Sequence, residues 1–422
     1  MPGYELSYLG LLEYDVSSPG AILKYCVLII DGAAGWPLAE RGGKTSLELA
    51  YTPNLDTMAQ EGTVGLVRTV PVGMEPDSAC ACMSLLGYDP GRYRIGRAAI
   101  EAGNMGVTID ENEVVFRCNL VAVHNGRMRD YSAGHISSSE AGELLSALEE
   151  GLGSGGVHFY PGVGYRHICK VKGREDTLEA SCTPPHNIPD RLIKEFLPKG
   201  PGSGLLRDLM QRSEAILRDH PVNVRRRSRG SLPASMIWLF WGSRRVPDIP
   251  AFRQVYGLDA AVTSGVDVIQ GMARLMGMGI LDIVGVTDGM DTDFAAQGAG
   301  ALAALDRYDL VVVHIEAPDE AGHTGSVDDK VTAIQRVDAE VAAQLRSWRG
   351  EPLRVLVTPD HPTPVELRTH TPEPVPFILW GMGLSANGAG RLTEVEAAKT
   401  GLFLDPGYNI MGRLIGIQSG VS

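Results

Sequence analysis

The stretch Tyr25-Cys26-Val27-Leu28-Ile29-Ile30-Asp31-Gly32 decides how the chain is read. Six consecutive apolar residues end at an acid and a glycine, with no polar alternation. A strand with one wet face alternates; a strand buried on both faces does not. The signature recurs at 310–315, ending near Glu316, and at 354–357, followed by Thr358-Pro359-Asp360-His361. A fourth run, 376–380, is closed by Gly381. Between such runs the spacing turns helical. In 328–348, Val331, Ile334, Val337, Val341 and Leu345 share one helix face. Buried strands alternating with helices predict an α/β fold with a mostly parallel sheet.

Working outward, the middle of the chain differs. Residues 109–229 carry short strand patterns at 114–119, 157–160 and 167–171, one clear helix at 138–150, and dense Gly and Pro turn signals. This predicts a smaller α+β domain, 109–229, inserted into a core formed by 1–108 and 230–422.

Bulk properties narrow the function. The 422 residues are 44% hydrophobic and 21% charged, a globular balance rather than a disordered one. A net charge of −13 argues against general binding to nucleic acid or an anionic membrane. No run of about eighteen apolar residues exists to span a bilayer. The first twenty residues include Glu5, Glu13 and Asp15 and lack a basic start followed by an apolar stretch. None of the six cysteines forms a Cys-x-x-Cys pair, and Cys80 and Cys82 lack a second pair at zinc spacing. A reduced, cytoplasmic protein is expected; oligomeric state has no sequence signal.

The acids and histidines carry the chemistry. Asp31, Asp360 and His361 end apolar runs, and Asp319 and His323 closely follow the run 310–315. In open parallel sheets the carboxyl ends of strands converge on one ligand-binding edge. Asp319 and His323 are spaced i, i+4, so one helical turn puts both on one face. His370 lies nine residues beyond His361. Mixed carboxylate and imidazole donors suit Mn²⁺ or Zn²⁺ and tolerate Mg²⁺. Three aspartates and three histidines suffice for two adjacent divalent cations, which can activate a hydroxyl and clamp a phosphoryl oxygen.

The segment Pro76-Asp77-Ser78-Ala79-Cys80-Ala81-Cys82-Met83-Ser84-Leu85-Leu86-Gly87 resembles the nucleophile loop of archaeal-type cofactor-independent phosphoglycerate mutases, of the alkaline-phosphatase superfamily. Similar to that family too are His314-Ile315-Glu316-Ala317-Pro318-Asp319-Glu320-Ala321-Gly322-His323, Thr358-Pro359-Asp360-His361-Pro362-Thr363 and His370-Thr371-Pro372-Glu373-Pro374. So are Phe116-Arg117-Cys118-Asn119-Leu120, Asp130-Tyr131-Ser132-Ala133-Gly134-His135 and Gly164-Tyr165-Arg166. The resemblance implies an alkaline-phosphatase-like core with two divalent metals, Mn²⁺ or Mg²⁺ (Zn²⁺ as a third option). Asp31, Ser78, Asp360 and His361 would hold one metal; Asp319, His323 and His370 would hold the other. Ser78 would be the nucleophile, passing a phosphoryl group between the 3- and 2-positions of glycerate. In the insert, Arg166 and Arg226, from the cluster Arg225, Arg226, Arg227 and Arg229, would clamp a phosphorylated small molecule. Asp130, His135 and His186 would carry protons or bind substrate. Arg97 and Glu101 read as an i, i+4 ion pair instead.

The chain departs from that family at a few points. Ala79 stands where an acid is usual, Asp77 where glycine is usual, and Gly242-Ser243-Arg244 where relatives read Gly-Gln-Gly. Ser231 takes the place of a phosphate-contacting lysine, with Arg229 or Arg244 as replacements. Homoserine kinase, glycerate kinase or phosphatase activity, and a non-catalytic role are the alternatives to mutase.

Overall fold

In the computed structural model, the Lys24–Ile30 strand lies at the centre of an eight-stranded sheet, every residue of it buried. Residues 22–93 and 95–416 are described; the N-terminal residues read above for targeting lie outside them. Two compact units form. The first comprises residues up to Arg92 and from Pro250 onward, the second Tyr93–Ile249.

In the first unit the sheet order is Phe403–Leu404, Thr63–Val67, Val375–Gly381, Leu353–Thr358, Lys24–Ile30, Leu310–Ile315, Ala260–Thr263, Gly279–Ile280. Only Val375–Gly381 runs against its neighbours. The sheet is therefore mostly parallel, and its centre is the expected run of strands buried on both faces. The register fixes the site. Ile30 pairs with Ile315 and Ile29 with Thr358, so Asp31, Glu316 and Asp360 emerge side by side at one edge.

A helix follows immediately on one of these strands. Ala317–Thr324 starts with Pro318 in its first turn, where no N–H is needed, and stops at Gly325 in a left-handed conformation. The longer helical stretch is α-helical over Val327–Val337 and Ala343–Arg346, with one wider π-turn over Asp338–Ala342. That turn aims the Asp338 carboxylate at the start of helix Pro53–Glu61, where it accepts from Leu55 N at 2.7 Å and Asn54 Nδ2 at 3.0 Å. It caps that helix in place of Thr52, whose side chain makes no cap bond.

The second unit is built on a five-stranded antiparallel arrangement. The Glu113–His124 strand pairs with Arg127–Asp130, Arg166–Lys172 and Met236–Arg244, and Val157–Tyr160 pairs with Arg166–Lys172. Helices Ser138–Leu152 and Ser203–Arg218 supply Leu144, Leu145, Leu148, Leu206 and Leu209 to its buried core. The division lies outside the expected 109–229. Strand Met236–Arg244 pairs antiparallel with Glu113–His124, for instance Ile237 with Leu120, with one register shift between Val115 and Arg117, and so belongs to this unit. Helix Arg97–Asn104 contributes Ala98, Ala99 and Ala102 to a small cluster with Val115 and Ile168 of the same sheet.

Candidate metal centre and nucleophile

Ser78 opens helix Ser78–Leu85, and Asp77 caps it, its Oδ1 accepting from Cys80 N at 2.7 Å. The aspartate that departs from the family pattern thus has a definite structural task. Ser78 Oγ lies 3.2 Å from His361 Nε2. His361 Nε2 lies 3.3 Å from Asp360 Oδ2 and 3.7 Å from Asp31 Oδ1. Asp360 is oriented through its other oxygen, which accepts from Gly32 N at 3.1 Å and His361 N at 2.7 Å. Asp31, Asp360 and His361 are buried and lie together as a potential ligand group.

Asp319, His323 and His370 form a second group. Asp319 Oδ2 is 3.0 Å from His323 Nε2 and Oδ1 is 3.6 Å from His370 Nε2. The two Nε2 atoms are 2.9 Å apart. Each imidazole turns its other nitrogen to a backbone carbonyl, His323 Nδ1 to Arg368 O at 3.0 Å and His370 Nδ1 to Pro76 O at 3.2 Å. A carbonyl only accepts, so each Nδ1 carries a proton and, in the neutral rings, both Nε2 lone pairs face Asp319. Converging lone pairs repel unless a cation or a proton lies among them. This backbone fixing of Nδ1 is what metal-binding histidines require.

Electrostatics point the same way. Burial raises the Asp31 and Glu316 carboxyls well above the usual range, and Asp360 and Asp319 push Asp31 further. For Asp319, burial is outweighed by His323 and His370, which hold it well below the usual range. His323 is pushed up to about 9: burial acts against protonation, but Asp319 prevails. A proton stands where a divalent ion fits. Both Asp31 oxygens are buried without a hydrogen bond, although His314 Nε2 comes within 3.0 Å, too poorly aligned for one. Orphaned carboxylate oxygens and lone pairs fit divalent cations bound by mixed oxygen and nitrogen donors.

Two loops are pinned together here. Thr363 N donates to Ala34 O at 3.1 Å, and buried Lys330 Nζ donates to Ala34 O at 2.9 Å and Thr363 O at 2.7 Å. Burial lowers the Lys330 ammonium to about 8. Thr363 Oγ1 also donates to Asp319. Lys330 lies outside the motifs read from the sequence, and His314, Glu316 and Thr363 lie within them with no role assigned there. His314 and Glu316 lie two apart at the strand end, a period-two signal that an otherwise apolar run hides.

The other expected residues lie in the second unit. Arg166 is exposed at the start of its strand, its guanidinium 5.4 Å from the Tyr165 ring. Asp130 Oδ1 accepts from Ser132 N at 2.6 Å and Ser132 Oγ at 2.5 Å; these bonds outweigh burial and lower its carboxyl. His135 ends a left-handed run with Ala133 and Gly134 (φ 51°, 66° and 48° in chain order). His186 packs edge-on against Tyr131 and at 5.6 Å from Trp241. Arg226, expected at substrate, is 5% exposed and spends its guanidinium on structure. It donates to Leu232 O at 2.9 Å, Ala133 O at 2.7 Å and Glu140 Oε2 at 2.5 Å. Its neighbours Arg225 and Arg229 pair with Glu143 and Glu140. Arg97 and Glu101 form their i, i+4 pair at 3.5 Å, and Glu101 also pairs with buried Arg117.

A family model described as 2,3-bisphosphoglycerate-independent phosphoglycerate mutase matches residues 59–223. A protein of that name from Methanothrix thermoacetophila is 45% identical over 396 residues, covering 93% of this chain and 100% of the relative. One from Geobacter sulfurreducens, named as a probable member, is 41% identical over 400 residues, with 93% and 100% covered. Among solved structures, a protein from Pyrococcus horikoshii superposes with a TM-score of 0.77 at 25% identity, over 95% of this chain and 100% of the other. The cofactor-independent phosphoglycerate mutase of Thermoplasma acidophilum shares the fold, with a TM-score of 0.61 at 24% identity over 93% and 99%. Among the described residues, no helix is long and apolar enough to cross a membrane.

Proposed function

The chain belongs to the family of 2,3-bisphosphoglycerate-independent phosphoglycerate mutases, and from that premise we propose that Ser78 carries the phosphoryl group as this enzyme interconverts 3- and 2-phosphoglycerate. The observation that supports this most is the placement of Ser78 Oγ 3.2 Å from His361 Nε2, beside the Asp31, Asp360 and His361 group.

Asp31, Ser78, Asp360 and His361 would hold one divalent ion, and Asp319, His323 and His370 the other. Bound there, the ions would favour the ionised Ser78 hydroxyl and withdraw charge from the phosphoryl oxygens. The Asp77 cap and the first turn of the helix fix the direction of the Ser78 Oγ. In the forward direction that oxygen attacks phosphorus, the bond to the glycerate 3-oxygen breaks, and a proton passes from serine to the leaving oxygen. The 2-hydroxyl of the retained glycerate then attacks the phosphoserine, and Ser78 Oγ regains a proton. Arg166 would bind the carboxylate or phosphate through paired hydrogen bonds. Asp130, His135 and His186 would serve substrate binding and proton transfer.

The test is an enolase-coupled assay with Mn²⁺ and no added 2,3-bisphosphoglycerate. Conversion of 3-phosphoglycerate supports the reading. No conversion, with ATP-dependent phosphorylation of homoserine instead, overturns it.

A further inference from the structure

Lys330, on helix Val327–Val337, is 0% exposed, and no step described above uses it. A buried ammonium is costly, and apolar packing of the same volume is often as stable, so stability alone gives no reason for a charge here. Its Nζ donates to Ala34 O at 2.9 Å and Thr363 O at 2.7 Å. Ala34 lies three residues after Asp31, and Thr363 two after His361. The two loops already meet there: Ala33 and Ala34 bridge to Pro362. Thr363 Oγ1 goes on to donate to Asp319. One ammonium therefore bears on the chain behind Asp31, on the chain behind His361 and, through Thr363, on Asp319 of the other ligand group.

The peptide it grips is held from its other end as well. Ala34 O and Gly35 N belong to one peptide unit. Gly35 N donates to Glu394 Oε1 at 3.0 Å, and Glu394 Oε2 accepts from Thr45 Oγ1 at 2.7 Å. The carbonyl end thus faces a cation and the N–H end an anion, the direction the peptide dipole favours. That plane cannot turn without losing both bonds. A Cβ on Gly35 would come within 3.5 Å of Lys330 Nζ, so the loop backbone lies close against the ammonium. Asp319, Glu394, Glu366 and Asp31 all favour its charged form against the burial.

We propose that Lys330 is a positioning residue for the phosphoryl transfer. By fixing the 34–35 peptide and tying it to Thr363, it sets the spacing between the Asp31, Asp360 and His361 group and the Asp319, His323 and His370 group. The inference rests on the two-ion reading above. Two ions clamp one phosphoryl group only at a fixed separation, and a small misplacement of reacting groups costs a large factor in rate. Lys330 acts through the backbone and does not touch substrate.

The test is Lys330→Met, similar in length and uncharged, in the full chain. Metal-depleted wild type and variant are titrated with Mn²⁺ by calorimetry, and kcat and KM for 3-phosphoglycerate are measured at saturating Mn²⁺. Positioning predicts Mn²⁺ binding weaker by about tenfold or more, kcat lower by about tenfold or more, and KM within about twofold. A charge effect alone predicts the opposite sign for the metal, because removing a cation from beside the ions tightens Mn²⁺ binding. Tighter or unchanged Mn²⁺ binding overturns the proposal. So does an unchanged kcat with only the melting temperature lowered, which is what a merely structural lysine gives. Should Lys330→Met not fold, Lys330→Gln, which keeps a donor but loses charge and reach, carries the same expectations. Wild type that binds Mn²⁺ but converts no 3-phosphoglycerate overturns the mutase reading alone. In that case weaker Mn²⁺ binding by the variant still upholds the positioning role, and equal or tighter binding still overturns it.

Discussion

At Asp31 both carboxylate oxygens are buried with no hydrogen-bond partner among the described residues. Four acidic groups, Asp31, Glu316, Asp319 and Asp360, crowd a buried volume where an unpaired charge costs several kcal/mol. Such a cluster folds only with cations or protons in it. A second buried group, in the other unit, gives a prediction free of metal effects. His167 is 1% exposed, its Nδ1 accepts from Gly162 N at 3.0 Å, and its Nε2 is unpartnered. Burial, reinforced by Arg117, lowers it from 6.5 to about 3. Between those values the unfolded chain binds a proton that the native ring refuses, so stability falls as pH drops from 6.5 towards 3. The slope should approach about 1.4 kcal/mol per pH unit. Urea titrations at a series of pH values should show it, and His167→Gln should flatten that part of the profile. An unchanged slope in the variant would mean the proton is taken up elsewhere.

At residue scale the sequence was informative where spacing sufficed. Asp319 and His323, four apart, read as one helix face and lie on one helix. Ser78 was legible only by resemblance, since a serine in a Gly- and Pro-rich region has no periodicity of its own. Arg226 looked like a surface cation in a basic cluster, because Glu140, its partner, is 86 residues away. Only the fold shows that pairing.

Among the elements, the strand ends and the turns after them carry the geometry. Gly32 follows Asp31 with φ +61°, and a Cβ there would sit 2.4 Å from Asp319 Oδ1. Asp319 is itself held by Thr363 and the histidines, so it cannot move aside cheaply. Gly32→Ala should therefore cost more than about 2 kcal/mol from the left-handed backbone and the clash together. It should also weaken Mn²⁺ binding. Equilibrium unfolding and metal titration of the variant check both; wild-type values for each would contradict the geometry. The helix over 327–346 was legible from its apolar stripe, but its π-turn was not. One extra residue per turn barely disturbs the stripe, and its purpose, the Asp338 cap on helix Pro53–Glu61, is non-local.

For the whole molecule, the alternation of buried strands and helices made the mostly parallel sheet legible. The reversed direction of Val375–Gly381 was not, because strand direction is set by connections rather than composition. The extent of the second unit escaped for a similar reason: strand Met236–Arg244 is apolar enough for either sheet, and only its pairing with Glu113–His124 assigns it. At this scale the metal requirement is the clearest consequence. EDTA should abolish turnover and lower the melting temperature, and Mn²⁺ should restore both. Turnover unaffected by exhaustive chelation would contradict the metal reading.

The most direct measurement is of the covalent intermediate. The enzyme is mixed with 3-phosphoglycerate carrying ³²P, quenched in acid within milliseconds, and digested, and the labelled peptide is sequenced by mass spectrometry. Label on Ser78, absent from a Ser78→Ala variant that no longer turns over, is the predicted result. Turnover by Ser78→Ala, or label on any other residue, would contradict it.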